Sequence, residues 1–133
     1  MILVDSSVWI DFFSGRDLAA VVRLTDLLED ASAPLVMADL VLFEVLRGFR
    51  DEQDFNAARR TLAELPVVEI GGADESLRAA QHYRALRAQG RTVRSPVDVL
   101  LASYCIEHDC ALLHSDRDFD VLESLRGLKV WRH

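Results

Sequence analysis

Residues 95–116 read SPVDVLLASYCIEHDCALLHSD, and the fold turns on how that stretch is divided. Ser95 followed by Pro96 opens a helix, with a serine at the N-cap and a proline at the first helical position, where a missing N–H costs nothing. The residues after it carry the helix to about His108. Ala111-Leu112-Leu113-His114 is then a short apolar run without polar alternation, which describes a strand buried on both faces. A helix feeding directly into such a strand is the unit of a parallel sheet.

The same alternation extends outward in both directions. Toward the N-terminus, Ala73 to Gln89 reads as a helix stopped by Gly90, and Val67-Val68-Glu69-Ile70 as a strand behind Pro66. Phe55 to Leu65 is helical, with Arg59 and Arg60 outward, and Asp39 offers an N-cap for a helix through Leu46 that Gly48 closes. Leu35-Val36-Met37 makes another strand. Leu18 to Asp30 and Ser6 to Phe13 are helices, with Leu24, Leu27 and Leu28 on one face of the former. Ile2-Leu3-Val4 is a first strand closed by Asp5, and Lys129-Val130-Trp131 is a short last one. The expected fold is a three-layer α/β domain with a central parallel sheet of four to five strands, whose order periodicity does not set.

A chain of 133 residues suits one domain, residues 1–133, around one core. Half its residues are hydrophobic and 28% are charged, an ordinary globular composition. No run approaches the roughly 18 apolar residues of a membrane span. MILVDSSVW has no basic region ahead of its apolar stretch, so no signal peptide is expected and the cytoplasm is the expected compartment. Cys105 and Cys110 have neither zinc-site spacing nor a second pair; Cys105 reads as core. The net charge of −7 argues against a broad positive field, while excess acid is compatible with a cation site. Lys129 is the only lysine, and the other fourteen basic residues are arginines.

The acids are informative because of where they fall. In a parallel sheet, strand C-terminal ends and the N-termini of the following helices share one edge, where ligands bind. Asp5 ends the first strand, Asp98 lies in the first turn of the helix opened by Ser95, and Asp116 and Asp118 follow the strand at 111–114. Glu44, within LVLFEVLRGF at 40–49, is five residues into its helix, about 7 Å along the axis, and leans back toward the same edge. Each has a local alternative. Asp5 and Asp116 suit helix N-caps, Ser95-x-x-Asp98 is a capping-box pattern, and Asp118 suits a solvated loop. Glu44 fits worst as a bystander, because an unpaired carboxylate among apolar neighbours costs several kcal/mol, roughly, and Arg47 would have to reach it there. Converging carboxylates repel unless something positive lies between them. Mg²⁺ or Mn²⁺ suits an all-oxygen site without histidine or thiolate.

MILVDSSVWIDFF, the helix around Glu44, SPVDVLLASYC and LLHSDRDFD occur in the order of a PIN-domain ribonuclease, and the whole chain resembles the toxin of a bacterial VapBC toxin–antitoxin pair. The resemblance implies metal-binding acids at Asp5, Glu44, Asp98 and Asp116, with Asp118 as an accessory or alternative ligand. It also implies Mg²⁺ or Mn²⁺ as cofactor, an RNA substrate such as tRNA, a homodimer and a cognate VapB-type antitoxin. Ser115 stands where the family often has a small hydroxyl residue, and Ser6 is similarly placed after Asp5. The chemistry the resemblance implies is metal-assisted phosphodiester hydrolysis, with Asp5, Asp98 and Asp116 on the metal and Glu44 as ligand or base.

Arg94, next to the Ser95 cap, and Arg47, beyond Glu44, are candidate phosphate contacts; Arg84 and Arg87 read as a solvated helix face. The histidines at 82, 108, 114 and 133 carry no chemical role in this reading, and Trp9, Phe12 and Phe13 read as core. Two rival readings remain at this stage. A receiver-type phosphoacceptor domain needs a lysine at the end of a late strand, whereas Lys129 begins one. A PIN-like binding module without nuclease activity would not require all the acids.

Overall fold

The computed structural model describes residues 1–133. Its elements run β1 (Ile2–Val4), α1 (Ser6–Phe13), α2 (Ala19–Glu29), β2 (Met37–Ala38), α3 (Asp39–Leu46), α4 (Glu52–Leu62), β3 (Val67–Val68), α5 (Ala73–Ala88), α6 (Pro96–Glu107), β4 (Ala111–Leu113), a 3₁₀ turn (Arg117–Phe119), α7 (Asp120–Arg126) and β5 (Lys129–Val130). Every strand pairing is parallel. β4 is central to a three-stranded sheet, β1-β4-β5, in the register Leu3↔Leu112↔Val130.

β2 and β3 form a separate two-stranded sheet, joined to the first only by an Ile2↔Leu35 bridge. There the Ile2 N–H donates to the Pro34 carbonyl at 2.8 Å and the Val36 N–H to the Ile2 carbonyl at 3.0 Å. Beyond it the chains part, and the Met37 N–H bonds the Pro66 carbonyl instead. The sequence-based strand at 35–37 thus moves to Met37–Ala38, and the expected single sheet is interrupted between β2 and β1.

All three residues of β1 are buried, as are Leu112 and Leu113 of β4. Successive strand residues face opposite sides, so both sheet faces are covered. The helices pack as two groups, α1 against α2 and α3 with α4 beyond, and α5 against α6 and α7. Trp9 is fully buried and packs with Phe12 and Phe13, whose rings lie 6.0 and 6.1 Å away. Between helices α5, α6 and α7, buried His82 places Nε2 2.8 Å from Glu107 and accepts from Arg126 Nε at Nδ1.

Three local readings change. Ala38, not Asp39, is the N-cap of α3; the Asp39 carboxylate accepts from the Leu40 and Ile70 N–H groups, both at 2.9 Å, tying α3 to the segment after β3. Helix α4 begins at Glu52 rather than Phe55, because Asp51 caps it by accepting from the Gln53 N–H. Helix α7 has no counterpart in the sequence reading; it ends at Gly127, whose φ of 78° is left-handed. Glycine at 90, with φ 72°, stops α5 as expected. No helix is long and apolar enough to cross a membrane.

Candidate metal centre

The site forms at the C-terminal edge of β1 and β4 because those strands pair in parallel. The Asp5 N–H donates to the Leu113 carbonyl at 2.9 Å, which holds the exits of both strands side by side. Asp5 is buried and caps α1: its Oδ2 accepts from the Ser7 hydroxyl at 2.5 Å and the Ser7 N–H at 3.4 Å. Across the edge, Asp116 caps the 3₁₀ turn, its Oδ1 accepting from the Asp118 N–H at 2.9 Å. Both local alternatives are therefore real, and neither uses up its carboxylate's acceptor capacity.

Asp98 arrives from α6. Its N–H donates to Ser95 Oγ at 3.4 Å, but its carboxylate makes no return bond to Ser95, so the capping box is only half made. The freed carboxylate turns toward the other acids. Ligand atoms of Asp98, Asp116 and Asp118 all lie within 4.8 Å of one another. Asp118, an accessory candidate by sequence, belongs to this trio on equal terms with Asp116. Glu44 is half-buried on α3, with Oε1 inaccessible and without a hydrogen-bond partner. Arg47 does not reach it and instead lies over the exposed Phe43 ring, 5.5 Å from its centroid.

The electrostatics register the convergence. Asp98 is pushed up to about 7 by burial first, then by the negative charges of Asp5, Asp116, Glu44 and Asp118. Burial also raises Asp5, against the lowering hydrogen bonds from Ser7 and Ser6, and Asp116 adds repulsion. Asp5 and Glu44 stand outside the 4.8 Å trio, and their charges act on Asp98. One basic side chain comes within ion-pair distance of these acids. Arg94 Nε is 3.7 Å from Asp118 Oδ2, yet the Arg94 side chain is 91% exposed, so the pair is weak. A buried acceptor with no donor and a compact set of carboxylate oxygens fit a hard divalent cation.

A polar cleft opens beside Asp116 and Asp118, lined with them by Ser7, Arg94, Ser115 and Arg117. Ser7 rather than Ser6 is the hydroxyl on Asp5; its position two residues beyond an N-cap is the signal that could have found it. Arg117 in this cleft also went unnoticed. A larger hollow at the other sheet edge, near Met1, Pro34 and Pro66, offers only Asp30 and Glu64 as acidic side chains and gathers no such cluster. Lys129 pairs with Asp109 at the start of β5, at the end of the strand opposite to the one a phosphoacceptor lysine would occupy.

Parallel topology and clustered acids at strand exits define a three-layer α/β protein with a cation-type site at its sheet edge. The PIN domain family model matches residues 2–125, and the chain belongs to the PIN-domain family. It is 34% identical over 130 residues to a Mycobacterium tuberculosis protein named Ribonuclease VapC11, covering 98% of this chain and 97% of that one. Among solved structures, it superposes on VapBC2 from Rickettsia felis with a TM-score of 0.76 at 15% identity, covering 99% and 100% of the chains. A toxin–antitoxin complex from Klebsiella pneumoniae gives 0.65 at 19% identity, covering 90% of each. At those identities the structural matches speak for the fold.

Proposed function

We propose that this chain is a Mg²⁺- or Mn²⁺-dependent endoribonuclease and the toxin of a toxin–antitoxin pair. The observation that carries the reading is the meeting of Asp5, Glu44, Asp98, Asp116 and Asp118 at one edge, with Glu44 Oε1 lacking any partner. The family membership and the relative named a ribonuclease support RNA as substrate. The superposition on a toxin–antitoxin complex supports an antitoxin partner.

Asp5, Asp98 and Asp116 would hold the metal, with Asp118 as a further ligand. When bound, the cation supplies Lewis-acid stabilisation of charge on the phosphate undergoing hydrolysis. Glu44 would serve as a further ligand or as the base that takes a proton from the attacking water; the water oxygen forms the new P–O bond while the bond to the leaving sugar oxygen breaks, and that oxygen takes a proton from solvent. Ser7 holds Asp5 in place by its hydroxyl. Two divalent ions would also reduce the formal charge from −7 to about −3, easing approach of a polyanion. A structured RNA such as tRNA, cut in an exposed loop, is the proposed target, with arrest of translation as consequence. The working unit is proposed to be a homodimer.

The test compares wild type with Asp5→Ala and Glu44→Gln on total cellular RNA across a Mn²⁺ titration. The expected result is metal-dependent cleavage by wild type and none by either folded variant. A metal-loaded, folded wild type that leaves all RNA intact would overturn the reading in favour of a binding module.

A further inference from the structure

Between α5 and α6 runs a groove floored by Ala79, Ala80, Val93, Val99 and Leu100. Its polar rim carries Arg84, Arg87 and Arg94 and not one carboxylate, on a chain with 22 acids against 15 bases. Arg84 and Arg87 are exposed and unpaired, apart from the Arg87 guanidinium lying 5.6 Å over the Tyr83 ring centroid. Being three apart on a helix, they project on the same side, about 4.5 Å apart along its axis. Arg94 lines both this groove and the acidic cleft, so the two adjoin at that side chain.

From this we infer that the groove is the track for the RNA strand beside the scissile phosphate. Arg84 and Arg87 contact successive phosphates, and the Tyr83–Arg87 pair provides a flat surface on which a base stacks. Arg94 hands the strand to the acids. The groove's charge is complementary to a polyanion and opposite to that of the molecule as a whole, which sets it apart from a merely solvated helix face. An apolar floor under the rim admits base edges without requiring hydrogen bonds, so the track binds with little sequence preference of its own. The inference rests on the ribonuclease reading for its substrate, and makes Arg84 and Arg87 positioning residues with no part in metal binding.

The experiment measures fluorescence anisotropy of a fluorescein-labelled 15-nucleotide random RNA, with Ca²⁺ replacing Mg²⁺, across a series of salt concentrations. Wild type is compared with Arg84→Glu/Arg87→Glu and Arg84→Lys/Arg87→Lys, alongside calorimetric Mn²⁺ affinity. The glutamate pair should weaken binding by roughly tenfold or more and lower the slope of log K against log salt by about 1.4, the loss of two single-strand phosphate contacts. The lysine pair should retain most of both, and Mn²⁺ affinity should stay unchanged in all three proteins. Equal affinity and slope in wild type and the glutamate pair would overturn the track, even if wild type still cuts RNA. So would a glutamate pair that binds RNA normally but no longer binds the antitoxin, because the groove would then be a protein interface. Conversely, RNA binding that depends on Arg84 and Arg87 in a chain that never cuts would keep the track and remove the nuclease reading.

Discussion

A carboxylate facing four others is a titration problem before it is a catalytic group. Asp98 ordinarily titrates near 3.8 and is raised to about 7 in the metal-free fold. A carboxyl raised on folding contributes stability that is complete below the ordinary value and is lost as pH rises through the raised one. The melting temperature in EDTA should therefore fall, relative to Asp98→Asn, between about pH 4 and 7. Calorimetry over that range checks this, and parallel curves for the two proteins would contradict it. Glu44 makes a second test. Mn²⁺ at a hundred times its Kd stabilises by about 2.7 kcal/mol, a rise of roughly 10 °C for a domain of this size. Glu44→Gln should leave the EDTA melting temperature unchanged or higher, since it removes a like charge, and should cut the Mn²⁺-induced rise by more than half. An undiminished rise would show that Glu44 does not serve the metal. Asp98 and Glu44 were legible in the sequence for different reasons, one from its place at a helix start, the other from the cost of a carboxylate among apolar neighbours.

At the scale of elements, the strand exits and helix starts hold the site residues, and several acids therefore have two duties. Asp5 caps α1 and faces the cluster. Asparagine preserves a cap and removes the charge, whereas alanine loses both. Asp5→Asn should unfold in urea about 1 kcal/mol later than Asp5→Ala, with both unable to support metal-dependent cleavage. Helix α7 offers a control remote from chemistry. Gly127 adopts φ 78°, so Gly127→Ala should destabilise by about 1 kcal/mol in the same measurement and leave the Mn²⁺ affinity intact. Most helices and strands follow from period and punctuation, as the Ser95-Pro96 opening of α6 does. The start of α4 did not, because Glu52, Gln53 and Asp54 give no apolar signal and only the Asp51 cap marks it. Helix α7 was hidden by its brevity, seven residues after a 3₁₀ turn.

For the molecule as a whole, β4 is the axis. It pairs with β1 on one side and β5 on the other, and Leu112 at its middle is fully buried. Leu112→Ala should cost about 2–5 kcal/mol in chemical denaturation, from lost burial and the cavity left behind. Because the substitution lies within the core and not at the edge, Mn²⁺ affinity measured well below the melting point should change little. A simultaneous loss of metal binding would mean that the site depends on core packing more directly than the strand exits suggest.

The amino-acid sequence by itself determined the alternation of strands and helices, the edge at which Asp5, Asp98, Asp116 and Asp118 lie, and the burial of Trp9 and Cys105. These are consequences of local period, capping and hydrophobicity, which act over a few residues. Only the tertiary structure decided that β4 sits between β1 and β5, that the sheet is interrupted beside Ile2, and that Asp39 reaches Ile70 across 31 positions. It also decided that Asp118 joins Asp98 and Asp116, that Ser7 holds Asp5, and that Arg84, Arg87 and Arg94 share a groove. Those relations join residues distant in the chain through packing and pairing, and no local pattern encodes which partner each will meet.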